Sequence, residues 1–448
     1  MRFIPTTDEQ KKEMLREIGV ESFDDLLESI PQQVRLNREL NIPEGLTEYD
    51  LEQHFYAISK QNSDFAQMKP LLGAGAYRHH VPAAVRTLLS REEFWTSYTP
   101  YQPEMSQGTL QSMFEAQTHF SRLSGMEVAI PSMYDGATAA AEAALMAIRI
   151  THKERIVLAA AVHPLYKQTI RTYLAPHGID VTEVPHDAEG LVEQQPIEAM
   201  TQKDVAAVVV QSPNFFGGIE NLDQIADAVH GTEALLIVAV AEGLSLGLMK
   251  GPGESDADLV ACDTNSFGVD LNFGGPHNAF LACKRKHMRQ LAGRIVGETQ
   301  DIDGKRVFVM TLRAREQDIR IEKATSNICS NHGLNVTAAN IYLSLMGTEG
   351  LHELAQLNTR AAHYLEKALL ATGKFERVFQ YPFFNEFMLK AKDGADAVTR
   401  RLFEVGFVPP LNVGTFLGDP AYQDTLLFTT TELLSRSDLD RAAEVLSR

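Results

Sequence analysis

The sequence predicts an α/β fold, with a mainly parallel sheet in a large domain followed by a smaller C-terminal α+β domain. Three observations predict it. Short apolar runs alternate with amphipathic helical stretches through the middle of the chain: VAIPS then GATAAAEAALMAIRI, RIVLAAAV then PLYKQTIRTYLAPHG, VAAVVVQS then ENLDQIADAVHG. The runs are continuous rather than alternately polar, as in strands covered on both faces, and the helical stretches supply the crossovers. Beyond about Arg315 the texture changes to long helical patterns mixed with isolated strand patterns.

Taken in order, residues 1–65 read as a helical arm. PTTDEQKKEMLREIG has Thr and Asp where a helix starts, apolar residues at helical spacing and Gly19 as a stop. ESFDDLLESIP and TEYDLEQHFYAISKQN repeat the pattern, and three short amphipathic helices without strands predict an arm that packs on something else, another subunit included. Residues 66–315 form the large domain. It opens with loops and one long helix, QGTLQSMFEAQTHFSRLSG, and the alternation then runs through DVTEVP, ALLIVAVA, DLVACDTNSFG and AFLACK. Residues 316–448 form the small domain. NVTAANIYLSLMGTEGLHELAQLNTRAAHYLEKALLATG reads as long helices broken at Gly347 and Gly350, and FERVFQYPFFNEFMLKA and TLLFTTTELLSRSDLDRAAEVLSR read as α+β.

Composition narrows the function classes. The chain has 448 residues, 44% hydrophobic and 22% charged, ordinary values for a soluble globular protein. The formal net charge of −18 argues against nucleic acid and anionic membranes as partners. Cys262, Cys283 and Cys329 are scattered, which indicates neither disulfides nor a zinc site but buried, reduced thiols. The start lacks a long apolar run, and Ala234–Met249 is interrupted by Glu242 and too short to span a bilayer. A cytoplasmic protein is expected.

The loop YTPYQPEMSQG is the strongest local signal. Prolines stiffen it, and Tyr98, Tyr101, Gln102, Glu104, Ser106 and Gln107 form an array of hydrogen-bonding side chains ahead of a helix. Free backbone N–H groups at that helix start could bind an anion. The plainer reading is a polar loop that caps the helix. Upstream, GAGAYRHHVP adds Tyr77, Arg78, His79 and His80. One of these histidines either lines a site and titrates near neutrality or is a surface residue.

Three stretches together, Ser97 to Ala129, NFGGPHNAFLACK and EKATSNICSN, resemble the P-protein of the glycine cleavage system, glycine dehydrogenase (decarboxylating). The resemblance covers nearly the whole chain. It implies a fold-type I pyridoxal-phosphate (PLP)-dependent transferase-like fold. It implies an enzyme that decarboxylates glycine and passes the aminomethyl group to the lipoyl arm of the H-protein. A PLP enzyme holds its cofactor as an imine to a lysine. The resemblance places that lysine near Ser266–Phe267, and neither residue can form an imine. Lys250 and Lys284 lie elsewhere and read as surface lysines. The missing lysine resembles the family's two-subunit bacterial form, in which a homologous subunit 2 carries the PLP. The implied partners are then subunit 2, lipoylated H-protein and glycine.

Other expectations follow from the resemblance. Glu242 occupies the place of the carboxylate that pairs with the pyridinium nitrogen, unless it is a solvated or Arg-paired glutamate near a strand end. Gly136, Ala137 and Thr138 occupy the phosphate-cradling slot, although Asp135 beside them would repel phosphate or cap the helix itself. His163 and Asn214 sit near the cofactor ring. Tyr98, Tyr101, Gln102 and Glu104 are supporting catalytic candidates at the subunit interface. Thr325, Ser326 and Asn327 either reach the partner's PLP phosphate or cap the helix that starts near Asn335. Two alternatives remain: a structural pseudoenzyme partner, or an independent PLP enzyme with an atypical lysine.

Overall fold

The computed structural model describes residues 5–63, 68–95, 98–200, 204–326, 328 and 331–448, in two compact units, 1–63 and 64–448. The first unit holds helices α1 (Asp8–Ile18) and α2 (Glu48–Ser59). Thr7 and Gln10 form a capping box on α1, and Gly19 ends it in the left-handed conformation at φ 87°. The second predicted helix shrinks to a 3₁₀ turn, Asp24–Leu27. There Asp25 accepts from the backbone of Glu21 and Ser22, and Pro31 follows at once. None of the described residues 5–63 is buried. Phe23, Val34, Ile42, Tyr49, Phe55 and Tyr56 all face solvent, so the unit has no core of its own.

The second unit is built on a seven-stranded sheet. Its strands are β1 (Val128–Met133), β2 (Arg155–Ala159), β3 (Asp180–Val184), β4 (Val205–Gln211), β5 (Leu235–Val240), β6 (Leu259–Asp263) and β7 (Ala279–Cys283). The spatial order is β1-β7-β6-β5-β4-β2-β3, with β7 antiparallel to both neighbours and the other adjacent pairs parallel. Every residue of β4, β5, β6 and β7 is buried, which is why these strands read as unbroken apolar runs. Helix α3 (Gln107–Ser124) leads into β1, and α4 (Gly136–Thr151) follows it. A run of buried alanines, Ala139 to Ala141, Ala143, Ala144 and Ala147, lets α4 pack closely in the core.

A hairpin of β8 (Ile295–Gln300) and β9 (Arg306–Thr311) was not predicted. Its signal is Asp303-Gly304, with Gly304 at φ 77° and Asp301 accepting from the amides of Asp303 and Lys305. Two glutamines hang this hairpin on α3. Gln107 donates to Phe308 O at 2.9 Å and accepts from Phe308 N at 2.9 Å. Gln117 does the same with Val296 at 3.0 and 2.8 Å. Each amide pairs with the backbone as an adjoining strand would.

Helix α5 (Gly333–Ala371) is the spine joining the layers. Its first part buries Val336, Ala339 and Tyr342 in the large core, and its last part buries Ala362, Leu365 and Leu369 in the C-terminal core. The helix breaks at Gly347 (φ 60°, ψ −173°), while Gly350, the second predicted break, stays helical. The C-terminal sheet comprises β10 (Phe375–Arg377), β11 (Glu386–Ala391), β12 (Leu411–Asn412) and β13 (Thr425–Thr429), in the order β10-β11-β13-β12. Residues Lys69–Pro70 pair with Phe407–Val408, so the chain enters the second unit through the C-terminal layer.

Because each glutamine satisfies two backbone groups, Gln107→Ala and Gln117→Ala should each lower stability by about 1–3 kcal/mol. Urea unfolding checks this. Unchanged midpoints in both variants would refute the clamp.

Candidate functional site

Ligands of open α/β sheets sit outside the carboxyl ends of the strands. There the chain brings together Glu242 after β5, Ser266 after β6, His163 after β2, the loop 73–80, and Glu386 and Glu432 from the C-terminal layer. Glu242 is 2% exposed, so the expectation of a solvated or Arg-paired side chain does not hold. It accepts from His79 Nε2 at 3.0 Å, from the Ser266 hydroxyl and from Leu244 N. His79 Nδ1 meets Glu432 Oε2 at 2.8 Å, and Glu432 Oε1 accepts from His80 N at 2.6 Å. With a carboxylate on each ring nitrogen, His79 donates from both and carries a proton. Burial pulls its pKa down, but the two glutamates outweigh burial and push it up to about 10. Buried and held above the neutral range, His79 is neither a near-neutral titrating residue nor a surface one, whereas His80 is exposed. Burial opposes ionisation of Glu432 as well, yet the His79 bond and charge bring its pKa down to about 2.

A second carboxylate, Glu386, accepts from Ala74 N (2.7 Å), Tyr77 OH (2.6 Å) and Thr429 Oγ1 (2.7 Å). Burial raises its pKa. His163 Nε2 donates to Ala74 O at 2.9 Å and its Nδ1 accepts from Leu165 N at 3.1 Å, which fixes a neutral tautomer. Burial lowers its pKa accordingly. Asn214 is a structural knot: its side chain bonds Gly190 O, Glu220 and the amides of Phe216 and Gly218. Sequence reasoning missed Glu386 and Glu432. The signal for Glu386 was a carboxylate set inside the apolar run FFNEFML.

The residues present do not fit PLP. Ser266 is bound to Glu242, and Phe267 is fully buried against Gly243. Lys250 pairs with Asp223 at 3.0 Å, and Lys284 pairs with Asp256 and Asp258 at 2.8 and 2.9 Å. At the start of α4, Asp135 caps Thr138 N at 2.8 Å and Asp263 accepts from Gly136 N at 3.2 Å. Two carboxylates thus hold the amides that a phosphate would need. Among the described residues no group of three or more His, Cys, Asp or Glu is placed to hold a metal ion.

The predicted loop lies at another cleft of about 440 Å³, lined by Trp95, Tyr98, Pro276, Arg294, Asn331 and His332 among others. All three stretches that carried the resemblance meet there. Tyr98 is 85% exposed, and Gln102 and Glu104 are exposed. Tyr101 OH accepts from Arg294 Nη2 at 2.8 Å, and the Arg313 guanidinium lies 4.8 Å from its ring centroid. Ser106 is buried, and Gln107 serves the hairpin rather than the cleft. Thr325 is half-buried with its amide on Arg315 O, and the Ser326 hydroxyl donates to Glu142. Asn327 lies outside the described residues. The following helix starts at Gly333 behind His332, so Thr325 and Ser326 do not cap it.

The family model for the glycine cleavage system P-protein matches residues 1–445. This chain belongs to that family. A relative from Desulforamulus reducens, named probable glycine dehydrogenase (decarboxylating) subunit 1, is 44% identical over 99% of this chain and 98% of its own. A relative of the same name from Moorella thermoacetica is 46% identical over 98% of both. The crystal structure of a glycine decarboxylase (P-protein) in inhibitor-bound form superposes with a TM-score of 0.88 at 41% identity, covering 100% of this chain and 99% of that one. The fold is that of fold-type I PLP-dependent enzymes, as the resemblance implied. Within this P-protein family chain, the network of His79, Glu242, Ser266 and Glu432 and the aromatic cleft share no lining residue.

The His79 bridge sets a pH dependence. Its folded pKa lies above the unfolded value, so its contribution is complete below about pH 6.5 and is lost as pH rises through about 10. Glu432 contributes above about pH 4.5 and loses its contribution as pH falls towards about 2. His79→Gln strands two buried carboxylates and should cost ~3–5 kcal/mol at neutral pH. It should also flatten the alkaline loss of stability in urea titrations. A variant as stable as the wild type at pH 7 would sink the bridge.

Proposed function

We propose that this chain is the non-PLP-bearing subunit 1 of a two-subunit glycine dehydrogenase (decarboxylating), and that a homologous subunit 2 holds the PLP. Together they decarboxylate glycine and transfer the aminomethyl group to the lipoyl arm of H-protein. One observation carries the assignment of roles: where an amine is required, this chain has Ser266 committed to Glu242 and Phe267 packed in the core. PLP on the partner supplies the electron sink for decarboxylation. This chain's part is to bind and shape.

The aromatic cleft supports the interface reading. Tyr98, Gln102 and Glu104 present free polar ends, while Arg294 and Arg313 hold Tyr101 in place. Thr325 is kept as a candidate contact to the partner's phosphate, with Ser326 turned towards Glu142. Beside the cleft, on the loop of Pro276, Phe273 is fully exposed and holds φ at 57°. Exposure and a left-handed backbone are two costs that burial against a partner offsets. The exposed apolar side chains of the arm call for the same partner. Among the described residues no helix is long and apolar enough to cross a membrane. A cytoplasmic complex suits the free, buried Cys262 and Cys283.

The test is reconstitution. The isolated chain should be colourless and inactive, and mixing with subunit 2 and H-protein should restore glycine–bicarbonate exchange. A pyridoxyl-lysine in the isolated wild-type chain, with turnover, would overturn the proposal. In the complex, Tyr98→Ala, Gln102→Ala and Glu104→Ala should lower exchange by about tenfold or more where the side chain positions substrate. Full activity in all three would remove the loop from the site. Separately, Tyr49→Asp with Phe55→Asp should weaken association with subunit 2 by at least about tenfold, read by analytical ultracentrifugation. An unchanged affinity would release the arm from that role.

A further inference from the structure

If subunit 2 holds the cofactor, the matching cleft of this chain is left without a ligand. The chain itself fills that cleft. Loop 73–80, GAGAYRHH, runs between the end of the large sheet and the C-terminal sheet. It makes four hydrogen bonds to carboxylates of the C-terminal layer, from Ala74 N and Tyr77 OH to Glu386 and from His79 Nδ1 and His80 N to Glu432. It makes two more towards the large sheet, from His79 Nε2 to Glu242 and from His163 Nε2 to Ala74 O.

We infer that loop 73–80 is a built-in stand-in for cofactor and substrate, which locks the two layers together and keeps the cleft shut even when a lysine is supplied at position 266. The inference rests on the reading that subunit 2 carries PLP, and it goes beyond the missing lysine. Three parts of the slot are closed independently. At the ring position, a Cβ on Gly75 would lie 3.1 Å from His163 Nε2, so no planar ring passes between them. At the pyridine-nitrogen position, Glu242 already has a charged partner in His79 and a hydroxyl in Ser266. At the phosphate position, Asp135 and Asp263 hold the helix amides, and a methyl on Gly136 would collide with the Tyr166 hydroxyl. The His277 imidazole lies 3.6 Å from Asp263, and even a full charge on that one ring is too little to offset two carboxylates against a phosphate dianion. The loop is as tightly held on its other side, where a methyl on Gly73 would collide with Thr429 and Glu386.

The experiment is to give the chain the amine it lacks. Ser266→Lys and, separately, Phe267→Lys are incubated with millimolar PLP, reduced with borohydride and read by absorbance and peptide mass spectrometry. Circular dichroism and association with subunit 2 report folding. The expected result is no yellow band and no pyridoxyl adduct at the new lysine in either folded variant. Stoichiometric uptake by either would overturn the lock while leaving the assignment to subunit 1 intact. Uptake by the unmodified chain would instead strike at that assignment. Should both variants fail to fold, hydrogen exchange on the unmodified chain decides. The amides of Ala74 and His80, which the lock holds on Glu386 and Glu432, should exchange at least about a hundredfold slower than free peptide, with or without PLP, glycine and subunit 2. Fast exchange that slows only when PLP is added would overturn the lock.

Discussion

The imidazole of His79 has a carboxylate on each nitrogen, Glu242 at 3.0 Å and Glu432 at 2.8 Å, and all three side chains are largely withdrawn from water. Any one of these charges alone would be forbidding at such a depth. The carboxylates come from different layers, one following the central strand of the large sheet and the other following β13 of the C-terminal sheet. The proton on His79 therefore fixes more than a side chain. It adds a charged tie between two layers that α5, the apolar cluster of Phe215 and Phe216 with Met388 and Leu427, and the Gly218–Phe383 bridge also join. The neighbouring contacts depend on the same placement: Tyr77 and Ala74 reach Glu386, and Ala74 O reaches His163, only with the loop drawn in at its far end.

Much of the large sheet was legible because burial on both faces keeps its central strands apolar except at their carboxyl ends, Gln211 and Asp263. What escaped the sequence did so for local reasons. The β8–β9 hairpin has no regular apolar–polar alternation, reading IVGETQ and RVFVMT, and its two anchors, Gln107 and Gln117, are far upstream. The second arm helix has the right periodicity, but Asp25 diverts backbone amides into a turn before helical bonds can propagate. Gly347 breaks its helix and Gly350 does not, a choice that composition cannot make for two glycines three residues apart.

At the site the sequence shows which residues stand at positions 266 and 267 but not what surrounds them. An imine needs an amine, and Ser266 and Phe267 can be excluded by chemistry alone. That Glu242 would be met by a histidine could not be read, because His79 lies 163 residues upstream and Glu432 lies 353 residues beyond His79. The loop that looked most functional, residues 98–107, divides on inspection. Tyr98, Gln102 and Glu104 are free to act, Tyr101 is held by arginines, and Gln107 is structural. Polarity in a loop thus marks hydrogen bonding, and only the fold tells whether the partner is backbone or ligand.

Buried carboxylates in the cleft add no stability that apolar residues could not supply, since well-packed apolar residues serve as well as or better than a buried ion network. The network's use must lie in specifying one arrangement. Two packed layers joined by apolar contacts tolerate small slides, whereas a double-ended imidazolium bond tolerates very little. The cleft of Trp95, Tyr98 and Arg294 takes parts of its lining from the sheet at Ser132 and from the start of α5 at His332 to Thr337. It keeps its shape only as far as the scaffold beneath it is rigid. On this view the filled slot and the open cleft are two ends of one device. Charge buried in the first holds the sheets still, and stillness gives the second, with Tyr98 in its lining, a fixed geometry.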